Sequence, residues 1–137
     1  MKLTDEEKNS KGFKYFLDKD MELPHTSLSS EIITNQKNAT KIKISDFPKE
    51  KQEQYEKYQK DQLKRELDYI VSKNTVYVRS FKDGKGEVTT EVTLKPKHNA
   101  VKKSLDNLSE DELTQVLRTA QSEATKKAKS KIFNVHH

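Results

Sequence analysis

The sequence predicts a small α+β domain with the element order helix, hairpin, helix, hairpin, helix, and three observations carry that prediction. β-Branched residues alternate on both sides of an Asp83-Gly84 turn, the strongest short-range hairpin signal a sequence offers. Thr4-Asp5-Glu6-Glu7 and Ser109-Glu110-Asp111-Glu112 are capping boxes, in which a hydroxyl accepts from the N3 amide while the glutamate reaches back to the cap. Apolar residues recur every three or four positions near 47–72 and 110–132, the spacing of long helices with one buried stripe.

The first helix begins at Thr4 and carries Phe13, Phe16 and Leu17 inward, but Asn9, Ser10 and Gly12 weaken or break it. Residues 21–30 hold Pro24 and several serines and read as loop, so 1–30 is expected to be a loosely attached helix and loop on a single domain spanning 1–137. Two short β-like runs follow, Glu31 to Thr34 and Thr40 to Ile44, separated by Asn35-Gln36-Lys37-Asn38 as a first hairpin. Its second strand alternates Ile42 and Ile44 with Lys41 and Lys43, as a period of two requires.

Ser45-Asp46-Phe47-Pro48 offers a capping oxygen and a proline where a missing N–H costs nothing. The helix it opens has the stripe Tyr55, Tyr58, Leu63, Leu67, Ile70 and Val71. The second hairpin spans 75–94, with Val88, Thr90, Val92 and Leu94 on one face and Thr89, Glu91 and Thr93 on the other. Residues 95–103 read as a basic connector to the final helix, whose stripe is Leu113, Val116, Leu117, Ala120, Ala124, Ala128 and Ile132. The repeated hairpin-then-helix order suggests one four-stranded antiparallel sheet with helices on one face.

Composition limits function. Leu, Ile, Val and Phe supply only 30 of 137 residues, just above the level at which chains fail to fold, so the core is thin and a second copy has room to complete an apolar face. The absence of cysteine excludes disulfides, zinc-cysteine sites and thiol nucleophiles. The start of the chain turns acidic where a signal peptide is apolar, and no run approaches a membrane span, so the expected location is the cytoplasm. The glycosylation-type triplets at Asn38 and Asn107 are then chance matches. The formal charge is +5, and the whole excess lies in the second half, where 13 Lys/Arg face 8 Asp/Glu in residues 71–137.

No catalytic set is legible. His25, His98, His136 and His137 lack metal-ligand spacing, and neither a metal nor a cofactor is expected. Asp83, Glu87, Glu91 and Lys95 can be forced into a nuclease-like cluster, but Asp83 is a turn residue and both glutamates sit on solvent-facing strand positions. Gly84-Lys85-Gly86 lacks the remainder of a phosphate-cradling loop. The expectation is a binding protein and not an enzyme.

Two kinds of partner follow. Lys95, Lys97, Lys102 and Lys103 enter the final helix and Lys126, Lys127, Lys129 and Lys131 leave it, two patches roughly 30 Å apart along about 20 helical residues. A charge run is ordinarily a solvated face. Read functionally, the patches contact nucleic-acid phosphates without reading bases, because lysine is a point charge and only Arg65, Arg79 and Arg118 are arginines. Tyr77 and Arg79, with Phe81, share a strand face that would suit base stacking if exposed. The alternative is an adaptor or inhibitor, such as a phage or mobile element encodes, that docks on a larger protein through Tyr55 and Tyr58, with Tyr69 further along the helix.

Overall fold

The computed structural model describes residues 3–25, 28–33 and 40–133. The expected turn at Asn35–Asn38 and the histidines His136 and His137 lie outside the described residues. The observed order is α1 (Asp5–Lys8), α2 (Lys11–Asp18), β1 (Glu31–Ile33), β2 (Lys41–Lys43), α3 (Lys49–Lys73), β3 (Thr75–Lys82), β4 (Val88–Thr93), β5 (Val101–Ser104) and α4 (Glu110–Phe133). This is the α+β class the sequence predicts, with one strand more than expected.

Local chemistry sets the element ends. Both capping boxes form: Glu7 N donates to Thr4 Oγ1 at 3.2 Å and Thr4 N to Glu7 Oε1 at 3.0 Å, and the Ser109–Glu112 pair repeats this at 3.0 and 3.2 Å. The first helix breaks at Asn9 and restarts where Ser10 Oγ accepts from Phe13 N. Before α3 no side-chain oxygen caps the helix. Instead Gln52 Nε2 reaches back to the carbonyls of Ser45 and Phe47 at 3.0 and 2.7 Å. Asn74 ends α3 with φ at +52°, a left-handed cap that asparagine tolerates, and the chain enters β3 directly.

The hairpins do not merge into one sheet. β1 and β2 form a two-stranded sheet, and β4-β3-β5 forms a separate antiparallel sheet of three strands. The third strand comes from the segment expected to be a connector, with Val76 opposite Lys103 and Tyr77 opposite Lys102. Its Val-Lys-Lys-Ser sequence is a poor strand signal because it lies on an edge, where lysines are tolerated and deter further pairing.

Two cores result. The larger joins Phe13 and Phe16 of α2 to Leu63, Leu67 and Ile70 of α3, Val76, Val78 and Val92 of the sheet, and Val116, Leu117, Ala120 and Ala124 of α4. The smaller seats the β1–β2 sheet, through Ile32 and the adjoining Ile44, on Tyr55, Ala128 and Phe133. The helices α3 and α4 run antiparallel through both: Gln59 donates to Thr125 at 2.6 Å, and Lys51 to the carbonyl of Ile132 at 3.3 Å.

Gly12 lets α2 lie directly on α3. Its N–H donates to Asp68 Oδ1 at 2.7 Å, and a Cβ there would fall 2.6 Å from both Asp68 N and Leu67 Cβ. A glycine-to-alanine change inside an open helix gains about 1 kcal/mol; here overpacking against backbone outweighs it, and Gly12→Ala is expected to cost a net ~1–3 kcal/mol. Gly84→Ala, whose Cβ meets nothing within 4 Å, is expected to be close to neutral. Urea denaturation of both variants checks this, and an unchanged midpoint for Gly12→Ala would refute the close approach.

Candidate functional site

The outer face of the three-stranded sheet follows from its register. Val76, Val78 and Val92 are buried, so their alternates Tyr77, Arg79 and Phe81 face outward, beside Thr89, Glu91, Thr93 and Lys102. Phe81 is 45% exposed, with the Arg79 guanidinium 5.5 Å from its ring centroid. Arg79 Nη2 lies 2.6 Å from Glu91 Oε2, and Lys97 Nζ lies 2.9 Å from Glu91 Oε1. Of Asp83, Glu87, Glu91 and Lys95, Glu91 bridges two cations and Asp83 Oδ1 accepts from the amides of Lys85 and Glu87 to shape the turn. Among the described residues no group of three or more His, Asp or Glu could hold a metal ion.

The expected lysine patches are redistributed. Lys95 and Lys97 do not sit at the opposite end of α4 from Lys127. They line with it one cleft of about 770 Å³, together with Arg65, Glu66 and Tyr69 of α3. A separation of roughly 30 Å holds only along α4 itself, and β4 brings residues 95–97 back beside that helix. That strand packs beside the helix, with Thr119 Oγ1 donating to the Val92 carbonyl at 3.0 Å, so the chain leaving it passes alongside the middle of α4. A second cleft of about 460 Å³ holds Lys73, Tyr77, Lys95 and Lys102 and shares Tyr69 with the first.

The other predicted lysines are placed elsewhere. Lys103 pairs with Glu112 at 3.0 Å at the start of α4, in a separate groove that also contains Arg118. Lys126 lies 3.8 Å from Glu123, and Lys131 is exposed. Lys129 is half-buried and donates to the Glu31 carbonyl at 3.3 Å, and burial pushes its pKa down.

Tyr55 is fully enclosed against Phe133, with ring centroids 5.6 Å apart, and burial pushes its phenol pKa up. It is therefore a core residue and not an exposed interface anchor. Tyr58 is half-buried against the same smaller core. Three residues that matter to the clefts, Arg65, Tyr69 and Lys73, were not grouped from sequence. Their spacing of four puts them on one face of α3, a signal hidden by the many other charges of that helix. Tyr69 is 53% exposed, and the Lys73 ammonium lies 5.7 Å from its ring centroid.

Six cations thus meet around one exposed ring: Arg65, Lys73, Lys95, Lys97, Lys102 and Lys127. Lys127 is paired with Glu66, which holds its ammonium pKa above the ordinary lysine range, and Lys97 with Glu91. Arg65, Lys73, Lys95 and Lys102 form no ion pair among the described residues. No helix among the described residues is long and apolar enough to cross a membrane. No protein-family model, curated protein or solved structure matches this chain.

Hydrogen bonds from Lys97 and then Arg79 hold the Glu91 carboxyl below the usual carboxylate range. A depressed folded-state pKa means that this network stabilises the fold above the unfolded carboxylate pKa and is lost as pH falls through the lower, folded value. Lys97→Met is expected to move the Glu91 titration upward, which carboxyl-carbon NMR resolves. A titration that stays where it is in the wild type would show that Lys97 does not hold the carboxylate.

Proposed function

We propose that the protein is a non-catalytic accessory factor that binds nucleic-acid phosphates without strong sequence specificity, through the two clefts around Tyr69. The observation that supports this is the convergence of six cations from α3, α4 and the 95–102 segment on one surface, four of them without an ion-pair partner among the described residues. Glu66 and Glu123 are the acids lining the same clefts. Uncompensated lysines at such density repel one another and attract a polyanion, whose binding releases condensed counterions. With one arginine among the six, the surface has little means to read base edges bidentately.

A protein-docking adaptor or inhibitor would need exposed aromatic anchors, and of the two expected, Tyr55 is enclosed in the smaller core. Tyr69 remains exposed, but five of the six cations around it are lysines, a residue depleted at protein interfaces.

Two quadruple variants separate placement from net charge, because each removes four positive charges. Lys95, Lys97, Lys102 and Lys127 changed to Gln should weaken binding to random-sequence DNA and RNA alike. The slope of log affinity against log salt should flatten by about 2–4, at roughly 0.7–0.9 per lost phosphate contact. Lys103, Lys126, Lys129 and Lys131 changed to Gln should change the slope by less than about 1. Equal effects of the two sets would mean that only overall charge acts, and no binding at low salt would reject the proposal.

A further inference from the structure

We infer that the nucleic acid this surface takes is single-stranded and that Tyr69 stacks on its bases. The inference rests on the proposed phosphate-binding function and adds the form of the ligand.

The first observation is the position of the ring. Arg65, Tyr69 and Lys73 lie at i, i+4 and i+8 on α3, so cation, ring and cation alternate over about 12 Å of one helix face. Tyr69 lines both clefts, and Tyr77 lines the second. Beyond Tyr77 the outer face of β3 continues with Arg79 and the exposed Phe81. Rings interleaved with cations are the pattern by which proteins follow a single strand: the cations track phosphates, and each ring takes the open π-face of a base. In a duplex those faces are closed by stacking, and only the edges are presented in the grooves.

The second observation is the recess. The Arg65–Tyr69 face of α3 shares a cleft with Thr119, Glu123 and Lys127 of α4 and with Thr93, Leu94, Lys95 and Lys97. A helix that reads a duplex must project into a major groove about 12 Å wide. Tyr69 lines this cleft with half of its surface exposed, so a flexible strand can turn the open face of a base onto the ring, whereas a duplex keeps those faces stacked.

Fluorescence anisotropy with labelled oligo-dT, oligo-rU and a mixed-sequence duplex of equal length, at one low salt concentration, tests this on the full chain. The single strands are expected to bind about tenfold or more tightly than the duplex. Tyr69→Ala should cost the single strands about tenfold and the duplex little, with the salt slope retained, and Tyr69→Phe should keep nearly wild-type affinity because the π-face is preserved. Because Tyr69 is half exposed, both variants should keep the wild-type circular dichroism spectrum. Duplex binding as tight as single-strand binding, or a Tyr69→Ala variant that loses nothing or loses both ligands equally, overturns the inference while lysine-dependent salt sensitivity would still uphold the phosphate-binding function. Absence of binding to every probe overturns both.

Discussion

The antiparallel contact between α3 and α4 is the constraint on which the rest of the molecule depends. Ala120, Ala124 and Ala128 of α4 are fully buried at a spacing of four, and their small side chains let the two helices approach closely along one face. The three-stranded sheet attaches near one end of this pair and the two-stranded sheet at the other, each over its own apolar core. The same contact sets the floor of the larger cleft, since Arg65, Glu66 and Tyr69 come from α3 while Thr119, Glu123 and Lys127 come from α4. A shift of one helix past the other by a turn, about 5.4 Å, would separate Lys127 from Glu66 and dissolve the site.

What holds the register is polar. Between the two cores Gln59 is buried and donates to Thr125, while its Oε1 has no hydrogen-bond partner among the described residues. Uniformly apolar seams tolerate sliding; one buried polar pair permits a single alignment, the use of buried polar groups that is best attested in helical assemblies. The Gln59–Thr125 contact lies between the two apolar cores and joins α3 to α4 there.

The electrostatics follow the same economy. Lys103 and Lys126 are occupied by Glu112 and Glu123, and Lys129 by a backbone carbonyl. Four cations that form no ion pair among the described residues, Arg65, Lys73, Lys95 and Lys102, stand where α3, α4 and the chain leaving β4 meet. Two further cations there, Lys97 and Lys127, are held by single carboxylates near the surface. The Lys97–Glu91 pair is largely exposed, and pairs of that kind contribute little to stability.

Sequence alone determined what depends on near neighbours: the two long helices from their apolar stripes, both capping boxes, the Asp83-Gly84 hairpin, and the shared outward face of Tyr77, Arg79 and Phe81 that a period of two imposes. It also located the excess of positive charge in the second half of the chain. Tertiary structure decided the rest. Whether two hairpins join one sheet depends on contacts far apart in sequence, and here the ends of α3 and α4 carry a separate apolar cluster that draws β1 and β2 away from the other strands. Tyr55 and Tyr58 have the same local pattern, yet Tyr55 packs near Phe133, a partner 78 positions away, and is enclosed, whereas Tyr58 is half-buried. The lysines of 95–102 and Lys127 are neighbours because a strand turns back along a helix, and no local periodicity encodes the distance between chain segments that meet only after folding.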